Sequence, residues 1–389
     1  MNYFLTGATG FIGGRVAQQL VEAGHRVTAV VRNPEKAQDV ARLGVTISKG
    51  DVTDKESMRA PMQGADGVFH IAGWYKIGGR DKQAGTAINI DGTRNVLELA
   101  RELAIPKTVY TSTLAVNSDT HGKLVDETYR YTGPHLTEYD RTKWAAHQIA
   151  EQFIAQGLPL VIVMPGLVYG PGDTSSVRTT FIQYLQRKLP MMPRQTAFSW
   201  AYVDDIARGH ILAMERGKPG ESYIIAGPTT TFEDAMQLAE QITGVPAPRL
   251  RVGPGVLSAG ARLMGVVERA IPVPDDYSAE FLRINAGVTY IGDNAKARRE
   301  LGYNPREGPD FFAAITANTA SMKSPGFSGG KGPAEIIAER FEGDFSCPAI
   351  RVLSPPKKLL ESLLNLASSS AGEVVQGAPV ALRNCQKLK

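Results

Sequence analysis

The sequence predicts an α/β protein: a doubly wound parallel sheet (Rossmann type), then a smaller C-terminal substrate lobe and an irregular C-terminal extension. Three observations carry that expectation. Short runs rich in Val and Ile alternate with helical stripes as far as Pro165, a glycine-rich turn follows the first strand, and the pattern loosens after Met164. At 389 residues the chain is long enough for two domains, and 43% hydrophobic with 21% charged residues suits a globular enzyme.

The expected strands are Val27–Val31, Val45–Ile47, Val68–Ile71, Thr108–Thr111 and Leu160–Met164, which read as buried parallel strands. Between them Ile12, Val16 and Leu20 recur every fourth residue, Val96, Leu99 and Leu103 repeat at three and four, and Ala145, Ile149 and Phe153 form a third helical stripe. Gly24 and Gly157-Leu158-Pro159 supply helix stops. Strand–helix–strand repetition implies right-handed crossovers.

After Met164, the stretch from Pro165 to Trp200 is rich in Pro and Gly. A helix is expected at Asp204–Met214 and a strand at Ser222–Ala226, both returning to the main sheet, with further helices at Phe232–Ile242 and Val256–Ile271. Residues 1–165 thus form a dinucleotide-binding domain to which 200–226 return, and 166–199 with 227–321 form the substrate lobe. Met322–Gly332 is linker-like, and 322–389 read as a linker and extension with one amphipathic segment, Lys357–Leu366. With so few aromatics that extension is too short to build a core alone.

Composition excludes several classes. Forty glycines show no G-X-Y period, and no apolar run reaches the roughly 18 residues that a membrane span needs. A net charge of +4 gives no support to nucleic-acid binding. The two cysteines, Cys347 and Cys385, leave the main fold without a disulfide framework or a thiolate zinc site, so no metal is expected and a reducing cytoplasm is the simplest home. Met1–Leu5 runs straight into the glycine turn with no basic segment ahead, so no signal peptide is expected.

The chemistry begins at Thr6-Gly7-Ala8-Thr9-Gly10-Phe11-Ile12-Gly13. Glycines at 7, 10 and 13 permit a tight turn, close approach to a pyrophosphate, and close helix–sheet packing, while Thr9, Phe11 and Ile12 complete the loop at a helix N-terminus. The spacing is G-x-x-G-x-x-G, not the ordinary G-x-G-x-x-G. The second strand ends at Arg32, where an acidic residue would hold the ribose hydroxyl of NAD; an arginine suits a 2′-phosphate, and Lys36 adds a second positive charge. NADP(H) is therefore expected in preference to NAD(H). Asp51 and Val52 sit where the adenine edge would lie, and Ile71, Ala72 and Gly73 let the backbone pass beside the cofactor. His70 reads as a strand-end histidine satisfied by its surroundings.

Tyr139 and Lys143 are four apart on one helical face. A phenol titrates near 10, so a neighbouring ammonium is expected to lower it toward the range useful for acid–base work. The fifth strand delivers Ser112 and Thr113 to the carboxyl edge of the sheet, where a hydroxyl could bind a substrate oxygen.

With these motifs together, the chain resembles an extended short-chain dehydrogenase/reductase of the NAD-dependent epimerase/dehydratase superfamily. T-G-x-x-G-x-x-G matches Thr6–Gly13, the hydroxyl triplet matches Thr111-Ser112-Thr113, Y-x-x-x-K matches Tyr139–Lys143, and P-G-x-V-Y-G-P-G matches Pro165–Gly172. Asn89-Ile90-Asp91-Gly92-Thr93 resembles the family's N-V-x-G-T helix start, and Trp200–Asp205 its late strand-to-helix junction. The resemblance implies Thr113, Tyr139 and Lys143 as the catalytic set with Ser112 beside them. It also implies that Tyr139, Lys143, Pro165, Gly166 and Val168 border the cofactor, and that helices resembling Asn89–Glu102 and Asp140–Gln156 pair in a homodimer.

Departures narrow the branch. Leu114-Ala115 replace the Asp-Glu pair of sugar-nucleotide dehydratases, while Met164 and Phe198-Ser199 replace residues that would give epimerases fixed positive charge. The pattern is similar to the dihydroflavonol-reductase and hydroxysteroid-dehydrogenase-like branch, which implies reversible NADPH-dependent reduction of an uncharged small-molecule carbonyl compound. The alternative is an NAD(P)-dependent sugar or nucleotide-sugar epimerase that retains its cofactor. Trp74, Tyr75, Met191, Met192, Phe198 and Trp200 could line an apolar pocket, although each taken singly reads first as core packing.

Overall fold

The structure, a computed structural model, describes residues 1–78 and 81–306. The described residues belong to one compact unit, Met1–Asn318. The linker at Met322–Gly332, the segment Lys357–Leu366 and both cysteines lie outside the described residues.

β1 (Asn2–Thr6) runs into α1 (Phe11–Glu22), which returns the chain to β2 (Arg26–Val31); α2 (Gln38–Arg42) leads to β3 (Thr46–Lys49), and α3 (Lys55–Met62) to β4 (Gly67–His70). α4 (Lys82–Gly85), a π-helical turn over Thr86–Asp91 and α5 (Gly92–Glu102) precede β5 (Thr108–Thr111), and α6 (Glu138–Ala155) precedes β6 (Leu160–Pro165). β7 (Leu167–Tyr169), α7 (Ser176–Leu185), β8 (Met192–Pro193), β9 (Ala197–Tyr202) and α8 (Val203–Arg216) follow, and then β10 (Ser222–Ile225). β11 (Thr229–Thr231), α9 (Phe232–Thr243), β12 (Arg251–Val252), α10 (Pro254–Val267), α11 (Ala279–Ile284), β13 (Thr289–Tyr290) and α12 (Ala295–Leu301) complete the described chain.

Seven strands form one sheet in the order β10-β6-β5-β4-β1-β2-β3, and every pairing in it is parallel. The Rossmann-like α/β fold expected from the sequence is thus present, with β10 joining beside β6. Alternation along each strand builds two cores. Leu5, Phe69, Val109, Val161 and Ile225 face one side with Val16, Leu20, Ile206 and Ile211 from α1 and α8. Phe4, Val68, Tyr110, Ile162 and Ile224 face the other with Val96, Leu99, Ile149 and Phe153 from α5 and α6. Apolar residues at both parities make the strands read as unbroken runs.

The remaining strands stand apart. β9 is flanked by β11 (antiparallel) and β13, and also pairs with β7, while β8 pairs with β12. Two local expectations are corrected. Asn89 does not open a helix but lies inside the π-helical turn ahead of α5. α10 stops at Val267, short of Ile271. Among the described residues no helix is long and apolar enough to cross a membrane.

Candidate active site

The carboxyl ends of the sheet strands border a cleft of about 630 Å³. β1 delivers the glycine turn to its floor. Gly7 has φ +80, and a Cβ there would lie 2.6 Å from the Ala72 nitrogen, so this turn and the Ile71–Gly73 segment meet as bare backbone. Gly10 caps α1 without any side-chain bond, its N–H reaches the Gly7 carbonyl at 2.9 Å, and no acidic residue occupies the first turn. The helix end therefore offers N–H groups and a positive dipole to the cleft, an environment that fits a dinucleotide pyrophosphate.

Thr9, Phe11, Ile12 and Gly13 line this end, with Asp51 and Val52 beyond them. Asp51 Oδ1 accepts from the Thr53 N–H and hydroxyl, both at 2.9 Å. Arg32 is exposed on the cleft wall and has no ion-pair partner among the described residues. Lys36 departs from expectation: it sits exposed in a single 3₁₀ turn, Pro34–Ala37, and does not border the cleft, because that turn carries the chain outward after β2.

His70 is fully buried. Its Nδ1 lies 2.8 Å from the Thr6 hydroxyl and its Nε2 3.0 Å from the Thr93 hydroxyl. Burial, aided by Lys143, pushes it down to about 3, so it is a neutral clamp joining β1, β4 and α5.

The second wall is α6. Thr137 caps the helix, its hydroxyl accepting from the Asp140 N–H at 3.0 Å, which fixes the first turn that carries Tyr139. The Thr113 hydroxyl stands near enough to the Tyr139 phenol to favour its charged form, and the Tyr139 ring meets Tyr75 edge-on at 4.8 Å. Lys143 Nζ donates to the Thr111 carbonyl at 2.7 Å and the Tyr110 hydroxyl at 3.2 Å. The expected electrostatics are reversed here. Burial raises the Tyr139 phenol above its ordinary value, and burial pushes Lys143 down to about 7. Taking either group from water disfavours its charged form, and that outweighs attraction between them.

Ser112 and Thr113 both border the cleft but have different partners. Ser112 Oγ lies 2.8 Å from His147 Nδ1, whose Nε2 is 3.5 Å from Glu151. Thr113 is the hydroxyl that meets Tyr139. Pro165, Gly166 and Val168 border the cleft between these groups and the glycine turn.

At the far end Trp74, Tyr75, Phe198 and Trp200 line the cleft as expected, but Met191 and Met192 do not. Met192 is buried where β8 pairs with β12. Their places are taken by Phe181, Met236, Phe281, Ile284 and Tyr290, together with Asp140. Sequence reading missed these because the lobe's short strands and helices carry no periodicity long enough to orient them.

Residues 3–226 match the NAD-dependent epimerase/dehydratase family. The chain belongs to that family. A Synechocystis sp. protein bearing the name dihydroflavonol 4-reductase is 33% identical over 312 residues, covering 77% of this chain and 89% of the relative. The sterol demethylase protein B of Methylococcus capsulatus is 29% identical, covering 82% and 98%. Among solved structures, gox2253 shares 28% identity at a TM-score of 0.72, covering 82% of this chain and 98% of that one. A Bacillus cereus UDP-glucuronic acid 4-epimerase in complex with NAD, at 22% identity and TM-score 0.64, shares the fold. As a member of the epimerase/dehydratase family, this protein is an NAD(P)-dependent oxidoreductase of the extended short-chain type, a reductase or an epimerase.

Proposed function

We propose that this family member reduces an uncharged ketone or aldehyde to its alcohol, reversibly, with NADPH. The observation that carries the reading is charge: among the described residues lining the cleft, Arg32 and Lys143 are the only cations. Lys143 is bonded to Thr111 and Tyr110, and Arg32 stands at the β2 end. The far end offers Phe181, Phe198, Trp200, Phe281 and Ile284, which suits an apolar carbonyl compound and leaves a sugar diphosphate without fixed positive charge to hold it.

In this reading the glycine turn and the α1 N-terminus hold the pyrophosphate, Arg32 holds a 2′-phosphate, and Lys143, Pro165, Gly166 and Val168 border the nicotinamide ribose and ring. Residues 166–199 and 227–321 act as the substrate lobe. When bound, the reduced nicotinamide supplies the hydride that the carbonyl carbon accepts. Tyr139 and Thr113 hydrogen-bond the carbonyl oxygen, and Tyr139 gives up its proton as the alkoxide develops. A phenol held above its ordinary range stays protonated at neutral pH, and the negative charge developing on the carbonyl oxygen draws the proton across. Ser112, engaged by His147, backs the Thr113 turn. α5 and α6 form the contact face of a homodimer.

A panel of ketones, aldehydes and sugar nucleotides, each tested with NADPH and NADH, checks this directly. Consumption of NADPH with an apolar ketone is expected, and Tyr139→Phe should lower kcat by about 10²-fold or more. Turnover of a sugar nucleotide with no net nicotinamide consumption would instead establish the epimerase reading.

A further inference from the structure

Asp140 is a buried carboxyl that the reduction does not use. It is 1% exposed, borders the substrate end of the cleft, and no cation pairs with it among the described residues. Hydroxyls satisfy it. Thr137 donates to Oδ1 at 2.8 Å and Tyr290 donates to Oδ2 at 3.1 Å, while the Ser118 hydroxyl stands near enough to favour its charged form. Ser118 Oγ in turn lies 2.9 Å from His135 Nδ1. His135 is only half-buried, with rings of Tyr131 and Trp144 at 6.2 and 5.2 Å, and Trp144 is 38% exposed. Tyr290, stacked on Phe198 at 6.0 Å, lines the cleft. Two hydrogen-bonded pairs, Tyr290 with Asp140 and Ser118 with His135, therefore stand side by side between the cleft and an imidazole at the surface.

We propose that Tyr290, Asp140, Ser118 and His135 form a proton conduit between the substrate end of the cleft and solvent, making Tyr290 a second proton-transfer residue that acts on bound substrate independently of Tyr139. Every member can both give and accept a proton, which a conducting chain requires. The ionisable groups coupled to Asp140 are Glu280 of α11, Tyr290 of β13, Tyr75 beyond β4, Tyr131, and Tyr139 on its own helix, with His135 beyond Ser118. Glu280 raises it further, and burial brings it up to about 7. Burial and Arg141 hold His135 below its ordinary value.

The chemistry open to such a conduit is exchange of a proton on the carbon beside a carbonyl. The Tyr290 oxygen takes the proton as its own passes to Asp140 Oδ2. The C–H electron pair becomes the enolate double bond, and the carbonyl pair moves onto oxygen, where Thr113 and Tyr139 hydrogen-bond it. Asp140 then sheds its proton through Ser118 to His135, and a solvent proton returns by the same route to restore the ketone. No oxidant or cofactor enters the balance. Choosing a ketone as the probe rests on the carbonyl reading above.

Cyclohexanone is incubated with the full-length protein in D2O without nicotinamide, and deuterium uptake at its α-carbons is followed by proton NMR. Exchange at least ~10-fold above buffer is expected, falling at least ~10-fold in both Tyr290→Phe and Asp140→Asn. His135→Ala should lower it too, and added imidazole should restore it, a rescue that a purely structural histidine would not give. Should Asp140→Asn fail to fold, Tyr290→Phe, which removes one oxygen, decides the matter. Exchange no faster than in buffer, or exchange unchanged in Tyr290→Phe, overturns the conduit. Ketone reduction without exchange removes the conduit alone, while exchange without reduction under either cofactor removes the reductase reading alone.

Discussion

Lys143 shows how one buried side chain couples stability to activity. The drop from 10.5 to about 7 corresponds to roughly 4–5 kcal/mol of burial cost at ~1.36 kcal/mol per pKa unit. The sign follows from proton counts. Between about pH 7 and 10.5 the unfolded chain holds a proton on this lysine that the folded chain lacks, so stability rises with pH across that window. Below it the folded protein carries the full cost of a buried ammonium. Lys143→Met should therefore raise the thermal midpoint clearly at about pH 6 and little at about pH 10, while abolishing turnover. Calorimetry of both proteins at the two pH values checks this. Sequence reading placed Tyr139 and Lys143 on one face but missed the net direction of the phenol's shift, because a helical spacing reports proximity and says nothing of how deep the face is buried.

The π-helical turn at Thr86–Asp91 matters at the scale of an element. It holds Asn89, 1% exposed, where its amide accepts from the Trp74 N–H at 2.7 Å and donates to the Trp74 carbonyl at 3.0 Å and the Thr142 hydroxyl at 2.9 Å. One side chain thus ties the backbone beyond β4 to α6, one residue from Lys143. Asn89→Ala would strand two backbone groups and is expected to cost about 1–3 kcal/mol, with a larger loss in kcat than the stability change alone implies. Denaturant unfolding and steady-state rates of the same variant separate the two effects. The strands of the main sheet were legible because their apolar runs are dictated by burial on both faces. The π turn was not, since one extra residue in a helical turn leaves the apolar stripe of α5 undisturbed. The lobe's two- and three-residue strands, including β13 with Tyr290, fall below the length at which any periodicity can be read.

Cofactor choice belongs to the whole molecule, since it sums contacts from α1, β2 and α6. A ligand that binds only the folded state stabilises it by about 2.7 kcal/mol at a hundredfold excess over Kd. NADPH should raise the thermal midpoint more than NADH at equal concentration, and Arg32→Ala should erase that difference without altering the response to NADH. Equal shifts in the unmodified protein would assign Arg32 to the solvent. The glycine turn, Arg32, Tyr139 and Lys143 could be read directly from the chain because each follows a strand or sits on a strongly patterned helix. The apolar far wall could not, because it is assembled from α7, α9 and α11, which lie far apart in sequence.

The position of β10 at the sheet edge has a consequence for biosynthesis. β6, Leu160–Pro165, is buried along its whole length, and one of its two flanks is covered only by Ser222–Ile225. A ribosome must therefore polymerise about sixty further residues before that flank is sealed, and meanwhile Leu-Val-Ile-Val-Met stands as a naked hydrogen-bonding edge. A nascent chain paused in α8 is the species most prone to aggregate and most in need of a chaperone. Truncation at Arg216 should give insoluble protein, whereas extension through Ala226 should restore solubility.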